Sequence, residues 1–480
     1  MRDLAERALD AAAAAGAEYA DCRVVDRATQ HLVVKNGVVA GIDISEDEGI
    51  GVRVIAQGAW GFAATHRLDP QSIEDVARRA VRIARASARL EAQPVRLAQL
   101  TAATGDYRTP VLRDPFDVSL EDKLDLLLRT DAAMSRTPEV RVRECSLEFD
   151  RERRYFASTD GARIDQTIIE SGGGLDATAT SDSDVQVRSF PNSFGRHQLC
   201  AGWEAIEGLD LLGNAERVAA EAAALLRADL CPAGVMTVIL DGTQAAMQVH
   251  ESCGHPTELD RVLGSEAAYA GMSFLTPELL GTFRYGSEHV TLAADSTREQ
   301  GLGTFGWDDE GVPASRTVLV DRGVFSGYLT SRETAAALGQ ESNGTMRADG
   351  WARLPLIRMT NVNLEPGEST LDEMIATTEH GVYLETNRSW SIDDRRLNFQ
   401  FGTQNGWEIV DGKRTRLVRN ALYSGQTPEF WRSCDAVAGP AEWRMYGVVN
   451  CGKGQPSQLM HVGHGAAPCR FRNVHVEPAL

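Results

Sequence analysis

The stretch AAMQVHESCGHPTELD, residues 245–260, places His250 and His255 around a glutamate, Glu251. Imidazole pairs flanking a carboxylate suit a divalent metal and a general base. The zinc-protease helix motif H-E-x-x-H spaces its histidines four apart. Here they are five apart, in H-E-x-x-x-H. On an ideal α-helix, residues four apart differ by about 40°, and residues five apart by about 140°. Two devices bring a five-residue spacing back onto one ion. One is a π-type turn, with about one extra residue per turn. The other is a helix end at Gly254, where positive φ would swing His255 back. Pro256 biases His255 away from helical angles, which favours the second route.

Two histidines do not complete a catalytic zinc site, which usually has three protein ligands and an open position. Cys451, in MYGVVNCGKGQPSQ, leaves an apolar strand between Asn450 and Gly452 and is well placed to reach into a site. His461 and His464, in HVGHG, are rival ligands. Cys253 would crowd the same short turn and reads as packing. Glu258 and Asp260 suit an outer shell that orients imidazoles.

These groups must be positioned by a long chain. Its 480 residues exceed one ordinary core, so two or three domains are expected. Residues 2–15 read as a helix. Asn36-Gly37 between apolar runs predicts a hairpin, and GIGVRVIAQGAWGFAAT a further strand pair. A helix opens at Asp69-Pro70. This N-terminal α/β domain spans 1–98. Residues 88–114 read as a connector. A middle α+β domain at 110–228 holds a helix near 118–135, alternating strands from about 139 to 205, and a closing helix. From 229 to 480 the chain is β-rich, with CPAGVMTVILD a buried strand leading into the histidine motif. Hairpins are predicted at Gly323 and Gly412. The fold class is α+β.

Bulk properties narrow the function. Net charge is −19 without a basic cluster, which argues against nucleic acid as a partner. No apolar run predicts a membrane span, and the mixed-charge start lacks a signal-peptide pattern. Eight scattered cysteines without a C-x-x-C pair fit a reducing cytoplasm. GLGTFG at 301–306 matches G-x-G-x-x-G, but a turn and strand follow it rather than a helix. No G-x-S-x-G elbow or Walker loop is present.

In HESCGHPTELD, GWDDEGVPASRTVLVDRGVFSGYL, ARLPLIRMTNVNLEPG and NCGKG, taken in order, the chain resembles the metal-bearing branch of the TldD/PmbA peptidases. The resemblance implies a two-part N-terminal region and a β-rich C-terminal metallopeptidase domain. It implies Zn2+ held by His250, His255 and Cys451, with Glu251 as the catalytic carboxylate. It also implies a dimer, either a homodimer or a heterodimer with a PmbA-like subunit lacking the motif. The expected substrate is an unfolded peptide bound as an extended strand. The segment RMTNVNL, with Thr360 and Asn361, is the candidate edge. The alternative is a non-hydrolytic peptide-binding subunit whose metal is structural or absent.

Overall fold

The computed structural model of the protein describes residues 1–90, 93–193, 196–269 and 271–479. At the N-terminal end, Asn36 and Gly37 both take positive φ, 50° and 77°. A type I′ turn requires this, and it joins the strands Tyr19–Lys35 and Val38–Ala56. Gln57 and Gly58 repeat the device before Ala59–Thr65. The helix Pro70–Ser87 begins where Asp69 accepts a hydrogen bond from the Ser72 N–H. Its apolar face and that of Arg2–Ala14 cover this end of the sheet.

Tyr19–Lys35 also pairs antiparallel with Val140–Ser158, from Asp21 opposite Ser158 to Lys35 opposite Glu144. One sheet therefore runs unbroken from the first region into the second. The helices Leu120–Met134 and Leu211–Leu225 cover its other end. The connector 88–114 is more ordered than its sequence suggests. Thr104–Arg108 joins the sheet edge, parallel to Arg163–Thr167. Five residues paired to a strand nearly sixty positions away leave no local periodicity to read. Residues 91 and 92 of that connector lie outside the described residues.

The C-terminal region is built on a second large sheet. The strand Gly234–Leu240 lies between His380–Ile392, to which it is parallel, and Cys469–Pro478, to which it is antiparallel. It feeds the helix Gly242–Val249, capped by Asp241 accepting from the Gln244 N–H. A separate hairpin, Arg444–Lys453 with Gln458–Ala466, stands beside that helix. Hairpin turns fall at Gly323 and Gly412, each at positive φ. The architecture is α+β with a β-rich C-terminal region. Among the described residues, no helix is long and apolar enough to cross a membrane.

Buried ion pairs lock the two regions together. Arg53 bonds Asp21 at 2.7 Å and Glu310 at 3.1 Å, and Arg23 bonds Asp309 at 3.3 Å. Charges so deeply buried need fixed partners, which sets the angle between the N-terminal sheet and the C-terminal region.

Candidate metal centre

The five-residue spacing is resolved by the π-type turn. His250–Gly254 forms that turn, and the His255 N–H donates to the His250 carbonyl, five residues back. Gly254 keeps helical angles, φ −66° and ψ −63°, so the expected swing through positive φ does not occur. Its lack of a side chain serves another purpose: a Cβ there would lie 2.0 Å from the Met359 sulfur. His255 also stays helical, at φ −58° and ψ −42°, despite preceding Pro256. Pro256 has no N–H to offer the preceding turn. Side chains satisfy the carbonyls instead. Tyr285 Oη donates to Ser252 O at 2.7 Å, and Thr257 Oγ1 reaches Gly254 O at 2.8 Å.

The turn brings His250 and His255 onto one side, with ring centroids 4.9 Å apart. Cys451 arrives from the separate hairpin. The ladder of that hairpin is irregular between Val448 and Cys451. A bulge re-aims the side chain that follows it. The Cys451 sulfur lies 3.7 Å from His255 Nε2. Donor atoms of His250, His255 and Cys451 all fall within 4.8 Å of one another, and all three residues are buried.

The surrounding hydrogen bonds fix which nitrogen faces inward. His464 Nδ1 donates to Val362 O at 2.9 Å, so its Nε2 must accept. His250 Nδ1, 2.8 Å away, is then the donor, and its Nε2 lone pair is free. His255 Nδ1 donates to Glu258 at 3.1 Å, leaving its Nε2 lone pair toward Cys451. Glu258 is itself held by Arg261 at 3.2 Å and Lys453 at 3.4 Å. Asp260, the other expected outer-shell carboxylate, bonds Lys453 at 2.7 Å rather than an imidazole.

Electrostatics favour the ligand forms. Burial holds both imidazoles below their ordinary pKa, hence neutral. Burial pushes the Cys451 thiol up, yet the thiol is held below its usual range, with the Arg358 guanidinium the leading charge in its favour. Two neutral imidazoles and an acidified thiol suit Zn2+, a tetrahedral site with one open position. The donor set therefore fits the ion.

Glu251 sits in the π-type turn beside His250, with its carboxylate 3.1 Å from Arg396 Nη1. A cleft of about 340 Å³ opens over these groups, walled by Met247, Glu251, Trp390, Arg396, Asn450 and Cys451 among others.

The remaining candidates lie elsewhere. His464 supports His250 from behind, and His461 bonds Glu170 at 2.5 Å in a different cavity. Cys253 packs against Tyr285. Thr360 and Asn361 are fully buried. The Asn361 amide donates to Asp295 O and Thr304 Oγ1, and its oxygen accepts from the Gly303 N–H. This segment clamps the Gly301–Gly306 loop and presents no edge to a peptide. The correction has a simple cause: its free side is covered by the Gln458–Ala466 strand, through an Asn361–Gly463 bridge. The same packing accounts for GLGTFG, since a Cβ on Gly303 would lie 2.1 Å from the Thr360 backbone.

Arg396 was not foreseen from the sequence. It lies 145 residues from Glu251, in a hairpin turn without a motif. His464, a rival ligand by its sequence position, is instead the partner of His250 Nδ1. The alternation Met460, Val462, His464, Ala466 marks it as facing inward, opposite to His461.

Three family models match in chain order. The PmbA/TldA metallopeptidase domain 1 matches residues 20–84, the central domain 113–230, and the C-terminal domain 233–477. A metalloprotease of Methanothermobacter thermautotrophicus is 30% identical over 464 residues, covering 96% of this chain and 95% of its own. A zinc metalloprotease TldD homolog of Saccharolobus solfataricus is 23% identical, covering 86% and 87%. The crystal structure of TldE from Thermococcus kodakarensis shares the fold at TM-score 0.75 and 16% identity, covering 98% and 99%. Fold, site and relatives define a metallopeptidase. The chain belongs to the PmbA/TldD metallopeptidase family.

Proposed function

We propose that this protein is a zinc-dependent peptidase that cleaves extended, unfolded peptides, with His250, His255 and Cys451 as ligands and Glu251 as general base. The observation that carries the reading is the meeting of those three donors within 4.8 Å, directly beside the Glu251 carboxylate. Bound Zn2+ supplies Lewis acidity for activating water and polarising the scissile carbonyl. Glu251 takes the proton of the attacking water and returns it to the leaving amine. Arg396 acts as a positioning residue, holding that carboxylate over the cleft. Glu258 and His464 hold the two imidazoles in the ligating tautomer.

Two strand edges support an extended substrate. Among the described residues, Arg444–Lys453 pairs only with Gln458–Ala466. Beyond Leu384, the strand His380–Ile392 loses its parallel neighbour and pairs on one side only. Val448, Asn450 and Trp390 bring these edges to the cleft. On the first edge the Gly447 N–H is taken by His197 and the Cys451 carbonyl by Arg358, so the backbone left for a peptide main chain lies between those two residues and, on the second edge, beyond Leu384.

A dimer with a subunit of the same fold is supported by the likeness to a protein named TldE. A cytoplasmic location is supported by eight cysteines that are all free and buried.

The test is Glu251→Gln, assayed on a denatured protein substrate with and without chelator. The variant should retain the wild-type zinc content and lose cleavage by about 10²–10⁴-fold. Wild-type activity in the variant would refute the assignment of the base. A wild type that holds zinc but shows no chelator-sensitive cleavage would instead favour a peptide-binding subunit.

A further inference from the structure

A second set of metal-type donors lies behind the catalytic hairpin. Asp150 and Glu170 are direct cross-strand partners in the N-terminal sheet. His461 reaches them from the Gln458–Ala466 strand. Their donor atoms also lie within 4.8 Å of one another. They line a cavity of about 410 Å³ that shares Asn450 with the cleft over Glu251.

Two features make this more than an acidic cluster. Like charges directly opposite on paired strands are destabilising unless a cation offsets them. Arg27 offsets Asp150, donating to its Oδ1 from Nε at 3.1 Å and Nη2 at 2.7 Å, and the proton on His461 offsets Glu170 at 2.5 Å when no metal is bound. Asp150 Oδ2 has no hydrogen-bond partner, although the residue is only 5% exposed. A buried carboxylate oxygen left unpaired costs free energy unless something cationic meets it. That oxygen belongs to a side chain on the cavity wall that also holds Glu170 and His461.

We propose that Asp150, Glu170 and His461 form a second divalent-metal site at the joint between the N-terminal sheet and the catalytic region. Two carboxylates and one imidazole are a harder donor set than two imidazoles and a thiolate, and they suit Mn2+ or Fe2+ as well as Zn2+. Without a metal, His461 Nδ1 shares a proton with Glu170 at 2.5 Å. Binding releases that proton to solvent and turns the same nitrogen into a ligand, so one proton leaves for each ion bound. An ammonium group fits less well. Protonated His461 offers it no lone pair, whereas a metal gains all three donors. Occupied, the site ties two strands of the N-terminal sheet and the Gln458–Ala466 strand to one ion and steadies the back of the hairpin that carries Cys451. The inference does not depend on the peptidase reading.

The experiment begins with a His250→Ala, Cys451→Ala variant of the full chain, stripped of metal and titrated with Mn2+. Free Mn2+ is read by electron paramagnetic resonance. One bound Mn2+ per chain is expected, with the melting temperature rising on addition. Adding Asp150→Asn or His461→Gln should weaken binding by more than about tenfold and remove the thermal shift, because lost ligands cost at least as much as lost outer-shell partners. Wild type loaded with metal should hold two equivalents and Asp150→Asn one, which keeps the test decisive if the first variant fails to fold. A wild type whose metal content is unchanged by Asp150→Asn would overturn the proposal. So would binding that survives Asp150→Asn and His461→Gln together, or methylamine raising the melting temperature where Mn2+ does not.

Discussion

His250 Nδ1 lies 2.8 Å from Nε2 of His464, a residue 214 positions away on a different element. The contact decides how His250 can bind a metal. With its Nδ1 proton committed to His464, His250 has a lone pair only at Nε2, facing His255 and Cys451. Replacing His464 by alanine leaves all three ligands in place but frees the ring to rotate and change tautomer. Zinc affinity should fall about 10–100-fold, measured by competition with a chromophoric chelator. An unchanged affinity would show that packing alone holds the ring.

Glu258 is wholly buried and bonded to His255, Arg261 and Lys453. Glu258→Gln keeps the shape and removes the charge. Lys453 would retain Asp260 but lose its second carboxylate. Breaking a buried pair costs about 3–5 kcal/mol. Urea unfolding of the metal-free variant should show a loss of this size, and retention of full stability would count against the network.

Gly254→Ala tests the close approach of Met359. Its backbone angles suit alanine, so any cost comes from contact with the Met359 sulfur, 2.0 Å from the would-be Cβ. Methionine is flexible, and overpacking of this kind costs about 1–3 kcal/mol. In a double-mutant cycle followed by thermal unfolding, Gly254→Ala should cost less in a Met359→Ala background than in wild type. An equal cost in both would mean that the strain lies in the turn itself.

His461 predicts a pH dependence in metal-free protein. Burial pushes its pKa down, but Glu170 outweighs this and raises it from 6.5 to about 9, with Asp150 adding to the rise and Arg27 opposing it. The folded state therefore holds the proton more tightly than the unfolded chain. This stabilisation is complete below pH 6.5 and is lost as pH rises through 9. Lys123, lowered to about 8 by burial, acts in the opposite sense between pH 8 and 10.5, so the readout is the difference between wild type and His461→Gln. That difference should shrink steadily from pH 6.5 to 9.5 in urea titrations with chelator present. A constant difference would remove the ion pair from the account.

Local signals in the sequence carried far. Asn36-Gly37, Asp69-Pro70 and the glycines at 323 and 412 each marked a real boundary, because turn and cap chemistry acts over a few residues. The histidine spacing allowed two backbone solutions. Pro256 pointed to the wrong one because its missing hydrogen bond is made good by Tyr285 and Thr257, which no local pattern reveals. Arg396 and the role of His464 depend on tertiary meetings across more than a hundred residues. The segment 358–364 looks like an open edge because a covering strand about a hundred residues downstream leaves no trace within it.

Cys451 and the strand Cys469–Pro478 come late in the chain, and that strand lies inside the C-terminal sheet, against the one that feeds the histidine helix. While the polypeptide is still leaving the ribosome it carries His250, Glu251 and His255 but not Cys451, nor the neighbouring strand that seats their helix. On the proposed reading, the donor set is therefore complete only once the last strands have been made.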